Sequence, residues 1–546
     1  MRKLILIVIV LSFFAMASNC RRRGGDAVTV AMPEQFTTLD TLTTVKSDAA
    51  AERVRTLIFN SLVRKDANFD YVGELASDIK TTEDGKTITF TLREGVKFHN
   101  GTVLTSADVK YTLDQLLQSN GYKAGGFFDT APDTSINVDS NAPKTEPKNA
   151  NASVGAVVKV KTKKVPYMDG AVETPDPKTV VIKVVRPSFR NKILSNLVAI
   201  PIIPEGTIGQ QKETPLGSGP FKFVNLDTSQ NILELSGNAE YWDSAPKVQK
   251  MRLKVLPDAS SLQAELQAGT VDLAPNPSNL PPDMINSMGQ SVNLKVDKFD
   301  GSNIQYLLFN TKEGPLANVQ IRQAIGYAID RKKIVSDLLL NQVRIADAVL
   351  PPESWAFSPG TQYTYDPAKA QQLLQEAGYN NEPIVFKYRA GGAATSQYSQ
   401  VIQSSLAEIG MNIQIETLDG PTLTQQLGLG QFQMYTGIWV GGNTDTIFLR
   451  DLFSSAKIPI PELVSCCNRG RYVNSEVDKL IDDAENTTDK ATAKALYTKT
   501  WNMISNDLPM LPLWYPANIV VSNKRIGNIK MSGSGDWVFL KDITAQ

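Results

Sequence analysis

Residues 85–117 read GKTITFTLREGVKFHNGTVLTSADVKYTLDQLL. Ile88, Phe90 and Leu92 alternate with Thr87, Thr89 and Thr91, which predicts a strand with one apolar face. Arg93 to Phe98 is expected to continue as a second short strand, and Asn100-Gly101 supplies a turn. Thr105 then precedes a helix. Asp108 stands at its third position, a capping box with Asp replacing the usual Glu or Gln. Val109, Leu113, Leu116 and Leu117 give that helix a buried stripe. The segment holds strand, turn and helix and no catalytic group, so taken alone it is scaffold.

Working outward, the chain of 546 residues is long enough for about three domains. Its 56 basic and 56 acidic residues cancel, which points away from nucleic acid. His99 is the only histidine, which removes multi-histidine zinc sites and most Ser-His or Cys-His chemistry; within the quoted segment it reads as structural. The sequence contains no Walker A motif and no G-x-S-x-G elbow. Asp66, Asn68 and Asp70 resemble the start of an EF-hand loop. Tyr71 and Ser77 stand where that loop needs Gly and Glu, so calcium is not expected. No cofactor or metal is expected.

Arg2 and Lys3 precede an apolar run from Leu4 to Ala17, too short for a membrane span and suited to a signal peptide over residues 1–19. Ala17-Ser18-Asn19-Cys20 resembles a bacterial lipobox, with Asn19 departing from the usual Gly or Ala. Cys20 is then the lipidated first residue, residues 20–26 a tether, and the membrane a partner through acyl chains. Ordinary cleavage near Ala17 is the alternative. Cys466 and Cys467 are adjacent, so a strained ring or two thiols are both open. Residues 119–155 are polar and aperiodic, which predicts a mobile surface loop.

Several further strings recur in one order. They are PLGSGPFKF (215–223), NAEYW (238–242), VQIRQAIGYAIDRKKIV (319–335), YDPAKAQQLLQEAGY (365–379) and DLPMLPLWY (507–515). Together with DGKTITFTLREGVKFHNGTVLTSADV (84–109) they resemble the solute-binding proteins of peptide-type ABC importers, the oligopeptide, dipeptide and nickel-binding family, from Val28 to about Val521.

The resemblance implies an α/β fold of the periplasmic-binding-protein type (type II, class C). It implies two lobes, an extra subdomain in lobe I and a hinged ligand cleft. Lobe I is expected over 27–62, 180–298 and 508–546, its subdomain over 63–179, and lobe II over 299–507. The chain is then no enzyme. It is expected to be a monomeric lipoprotein of the periplasm or cell surface that hands oligopeptides to ABC permease and ATPase subunits. The alternatives are a non-peptide solute (sugar, haem or nickel chelate) or a surface chaperone or adhesive role. Trp439 matches the family's cleft tryptophan. Where peptide binders place an Asp three residues later to meet the ligand's ammonium, this chain has Gly442, followed by Asn443. Asp445 is the nearest carboxylate; it either replaces that Asp or serves as a turn or helix N-cap residue. Lys46 and Ser47 fall in a first-lobe segment that lines the cleft in the family.

Overall fold

A computed structural model describes residues 27–46, 48–132, 162–441, 444–459 and 467–546. The signal segment, Cys20, Ser47, Gly442, Asn443 and Cys466 lie outside the described residues. Among those described, no helix is long and apolar enough to cross a membrane.

The first sheet has seven strands. They are β1 (Ala27–Met32), β10 (Phe221–Asp227), β11 (Ile232–Gly237), β12 (Lys250–Val255), β13 (Leu273–Pro275), β14 (Leu294–Phe299) and β21 (Asn518–Asn523), numbered along the chain. Their spatial order is β10-β11-β12-β1-β13-β21-β14. Beside it stands a four-stranded sheet, β4 (Ala76–Thr81), β5 (Thr87–Leu92), β9 (Thr179–Lys183) and β8 (Glu173–Asp176). One continuous core joins the two: Ile88, Phe90 and Leu92 bury with Val28, Val30, Leu235 and Leu253. Helix α1 (Ser106–Gln118) buries Val109, Leu113 and Leu116 in that core, and Leu117 packs at its edge. Asp108 accepts the Thr105 backbone N–H at 2.8 Å, the reach-back half of the expected capping box.

A second sheet of six strands carries its own cores. Its order is β16 (Val343–Ile345), β20 (Met510–Pro516), β15 (Ile304–Phe309), β19 (Met434–Trp439), β17 (Ile384–Arg389) and β18 (Ile413–Leu418). Against one face pack α3 (Val319–Ala328) and α4 (Pro367–Glu376), through Ile321, Ile325, Ala370 and Leu374. Against the other pack α5 (Gly420–Leu429), α6 (Ile447–Phe453), α7 (Ser475–Asn486) and α8 (Lys490–Asp507). An earlier helix, α2 (Ala259–Ala268), belongs to the first body and ends as its sequence predicts, on Gly269 at φ 69°.

The chain passes between the two bodies twice, at residues 300–303 and at Ala517. These crossings lie in close contact: a Cβ on Gly301 would stand 1.9 Å from the Pro516 carbonyl oxygen. Two lobes joined by a two-strand hinge are therefore the observed architecture.

Three expectations need correction. Residues 93–98 form no strand. Gly95 turns the chain at φ 71°, and the His99 amide bonds to the Gly217 carbonyl at 2.9 Å, leaving only the Lys97–Val103 bridge. The expected loop starts too early. Ala124 and Phe127 bury in the first core, and β6 (Phe128–Pro132) pairs with β7 (Thr162–Pro166), so only residues 133–161 of that region lie outside the described residues. The strand at 510–516 hydrogen-bonds to β15 and β16, so it groups with the second sheet rather than with residues 518–546.

Candidate functional site

Strands β17, β18 and β19 run parallel, so their carboxyl ends share one end of the second sheet. In open α/β sheets that end is where ligands collect. Arg389 closes β17 there, and the chain leaves β18 at Leu418 to start α5 at Gly420. A cavity of about 620 Å³ opens along α5. Its lining includes Arg389, Pro421, Leu427, Tyr435 and Arg469, an apolar wall with two guanidinium groups.

Local sequence explains the shape of this wall. Tyr435, Gly437 and Trp439 share one face of β19 by strand alternation. The Tyr435 ring leans over Gly437, and a Cβ there would lie 2.0 Å from the Tyr435 hydroxyl oxygen. Only glycine permits that approach. Tyr306 of β15 stacks edge-on to Tyr435 with centroids 6.0 Å apart. Burial holds the Tyr435 hydroxyl above its usual range, while the positive charges of Arg469 and Arg389 oppose that shift. Both guanidinium groups and the Tyr435 ring line the same cavity. The arrangement suits an anionic ligand group and offers no nucleophile or base.

Trp439 follows on the same face, half-buried, with its ring perpendicular to Phe448 of α6 at 5.2 Å. It packs at the edge of the core and keeps part of its surface exposed. Farther along the chain, Asp445 has a side chain that is 8% exposed. One Asp445 oxygen accepts the Ile447 N–H at 3.0 Å, as a helix-start residue does. The other accepts the Tyr71 hydroxyl and stands 3.5 Å from the Lys65 ammonium. Lys65 ends β2 (Val63–Lys65) and Tyr71 begins β3 (Tyr71–Gly73), a hairpin of the first body. Burial first, then the Asp445 charge, push the Tyr71 hydroxyl well above its usual pKa. Asp445 therefore has partners from across the cleft.

Lys46 is exposed, and its carbonyl accepts from the Thr44 hydroxyl at 3.4 Å. Of the sequence-selected residues, Trp439 packs on Phe448 and Asp445 meets Tyr71 and Lys65. Sequence reading missed Lys65, Tyr71, Arg389 and Arg469. The usable signal was Arg389, a charge closing an apolar strand immediately before Ala390-Gly391-Gly392. Cys467 is disulfide-bonded. Among the described residues no cluster of His, Cys, Asp or Glu could hold a metal ion.

The family model described as bacterial extracellular solute-binding proteins, family 5, middle, matches residues 70–458. Heme-binding protein A of Haemophilus influenzae is 28% identical over 500 residues, covering 88% of this chain and 85% of that protein. Oligopeptide-binding protein AppA of Bacillus subtilis is 26% identical over 518 residues, covering 91% and 87%. In structure, the chain resembles NikA of Brucella suis in complex with Fe(III)-EDTA, with a TM-score of 0.78 at 19% identity, covering 95% of this chain and 100% of that one. The hinged two-lobe fold and this family match agree: the chain belongs to the family 5 bacterial extracellular solute-binding proteins, and it is a substrate-binding protein of an ABC importer rather than an enzyme.

Proposed function

We propose that the chain captures oligopeptides outside the cytoplasmic membrane, seats a peptide carboxylate at Arg389 and Arg469, and delivers the ligand to its permease. The cavity along α5 supports this reading: about 620 Å³, apolar-walled, lined by two guanidinium groups and by Tyr435. A planar guanidinium pairs with a carboxylate through two parallel hydrogen bonds. The rest of a bound peptide can satisfy its backbone on protein backbone and water, which leaves side chains loosely read. The relatives described above are named for haem and for oligopeptides. Both ligand classes carry carboxylates, so a carboxylate-bearing non-peptide such as haem or a metal chelate is the second reading of the same cavity.

Calorimetric titration with Ala-Ala-Ala, its C-terminal amide and haem separates the readings. The free acid should bind, and the amide should bind at least tenfold more weakly, since a charge-assisted bond contributes about 1.5–3 kcal/mol. Arg389→Ala should reduce the acid to the level of the amide. Haem binding with no response to either peptide would overturn the peptide assignment.

Anchoring is the second part of the proposal. Cys20, after the basic start and apolar run, accepts acyl chains and holds the folded part at a bilayer. Cys20→Ser should abolish fatty-acid labelling and release the protein from the membrane fraction. A variant that still labels and stays bound would refute acylation there.

A further inference from the structure

Lys65 and Asp445 come from opposite bodies, and the Lys65 ammonium is saturated by the second body. It donates to the Thr444 carbonyl at 3.1 Å and to the Thr444 hydroxyl at 2.9 Å, and Asp445 stands 3.5 Å away. Its side chain is 16% exposed. Thr444 is fixed in turn, its hydroxyl donating to the Gly441 carbonyl at 2.8 Å. Tyr71, from the same hairpin as Lys65, completes the seat by donating its hydroxyl to the same Asp445 oxygen that Lys65 faces, and the Lys65 ammonium lies 5.5 Å from the Tyr71 ring centre. Two more ion pairs cross between the bodies: Asp70 with Lys490, and Asp129 with Lys457 at 3.0 Å. The tip of the Lys65 hairpin also docks, through the Trp355 N–H on the Asn68 carbonyl at 3.3 Å.

We infer that Lys65 is a specificity-determining latch: it places the protein's own ammonium on Asp445, holds the lobes closed without a ligand amine, and leaves solutes to be selected by their anionic groups. A buried carboxylate needs one cation, and here the chain supplies it. A ligand amine could reach Asp445 only by displacing Lys65, which would strand a second buried charge. Blocking the amine of a ligand should therefore cost little. The latch also lowers the free energy of the closed form before any ligand arrives, so ligand-free protein populates it. This rests on the cleft being the solute site, as proposed above.

Two measurements on the purified mature protein test it. The first is small-angle scattering of ligand-free protein. The native chain should be more compact than Lys65→Met and Asp445→Asn, and should expand toward them at high salt. Identical radii for all three would overturn the latch, whatever the ligand proves to be. The second is titration with Ala-Ala-Ala and N-acetyl-Ala-Ala-Ala. The native protein should bind the two within about twofold, and Lys65→Met should favour the free amine by tenfold or more. A native preference of tenfold for the free amine, lost in Asp445→Asn, would show that Asp445 reads the amine and that Lys65 does not hold the seat. If neither peptide binds the native protein, the oligopeptide proposal fails and the scattering result alone decides the latch.

Discussion

His99, the single histidine of the chain, is half-buried with its Nε2–H donating to the Gly219 carbonyl at 3.0 Å. Burial, and to a lesser degree the charge of Lys222, pull its pKa from 6.5 down to about 4, against the opposing Gly219 bond. The sign follows from proton counting. Between pH 6.5 and about 4 the unfolded chain takes up a proton that the folded chain refuses. Stability is therefore fully present above pH 6.5 and is lost as pH falls through that window, by roughly 3 kcal/mol. With one histidine, an imidazole proton titration by NMR reports this group directly. A midpoint near 4 is expected, and a midpoint near 6.5 would show that the ring is solvated. Sequence reading placed His99 correctly as structural because it lies in a recognisable scaffold string. The same reading had no access to Lys65 or Tyr71 as partners of Asp445. Tyr71 and Asp445 are separated by 374 positions, and no local pattern encodes a pair that only lobe closure creates.

At the scale of elements, α6 is too short to be stable alone and is held by packing and by one side chain. Arg450 in its last turn bonds Glu485 of α7 at 2.7 Å and also meets Asp482. Glu485 is 2% exposed, and burial raises its pKa even with Arg450 alongside. Arg450→Met should leave that carboxylate unpaired and destabilise the fold by about 3–5 kcal/mol, read as a fall in denaturant midpoint. The deficit should shrink as pH is lowered, because a carboxyl with a raised folded pKa favours the folded state once protonated. The double variant Arg450→Met/Glu485→Met should recover most of the loss. A single variant as stable as the native chain would mean that the pair contributes nothing. Elements of this kind were well signalled locally. The alternation of β5, the Asp366-Pro367 start and Gly378 end of α4, and Gly269 after α2 were all readable from spacing and cap chemistry. Residues 93–98 misled because the chain turns at Gly95 and the bonds it makes are single, Arg93 N–H to the Leu75 carbonyl and Phe98 N–H to the Thr102 carbonyl, with no continuing ladder. Residues 128–132 misled because their hairpin partner lies beyond a long polar insertion.

For the whole molecule, two bodies keep separate cores, and among the described residues several ion pairs cross between them. The two crossings, at residues 300–303 and Ala517, are the places where bending can separate the bodies. Closure joins Lys65 and Tyr71 of the first body to Thr444 and Asp445 of the second, and a ligand shifts the balance by what it adds to the closed form alone. Gly301 against the Pro516 carbonyl keeps the two crossings close together. The central claim is that this closed cleft holds peptides. The most direct test is native mass spectrometry of the mature protein purified without denaturation, followed by identification of whatever it releases. The account predicts a ladder of masses above the apo-protein that resolves into short peptides with free carboxyl ends. Release of a sugar or another solute lacking a carboxylate, with no peptide retained, would contradict it.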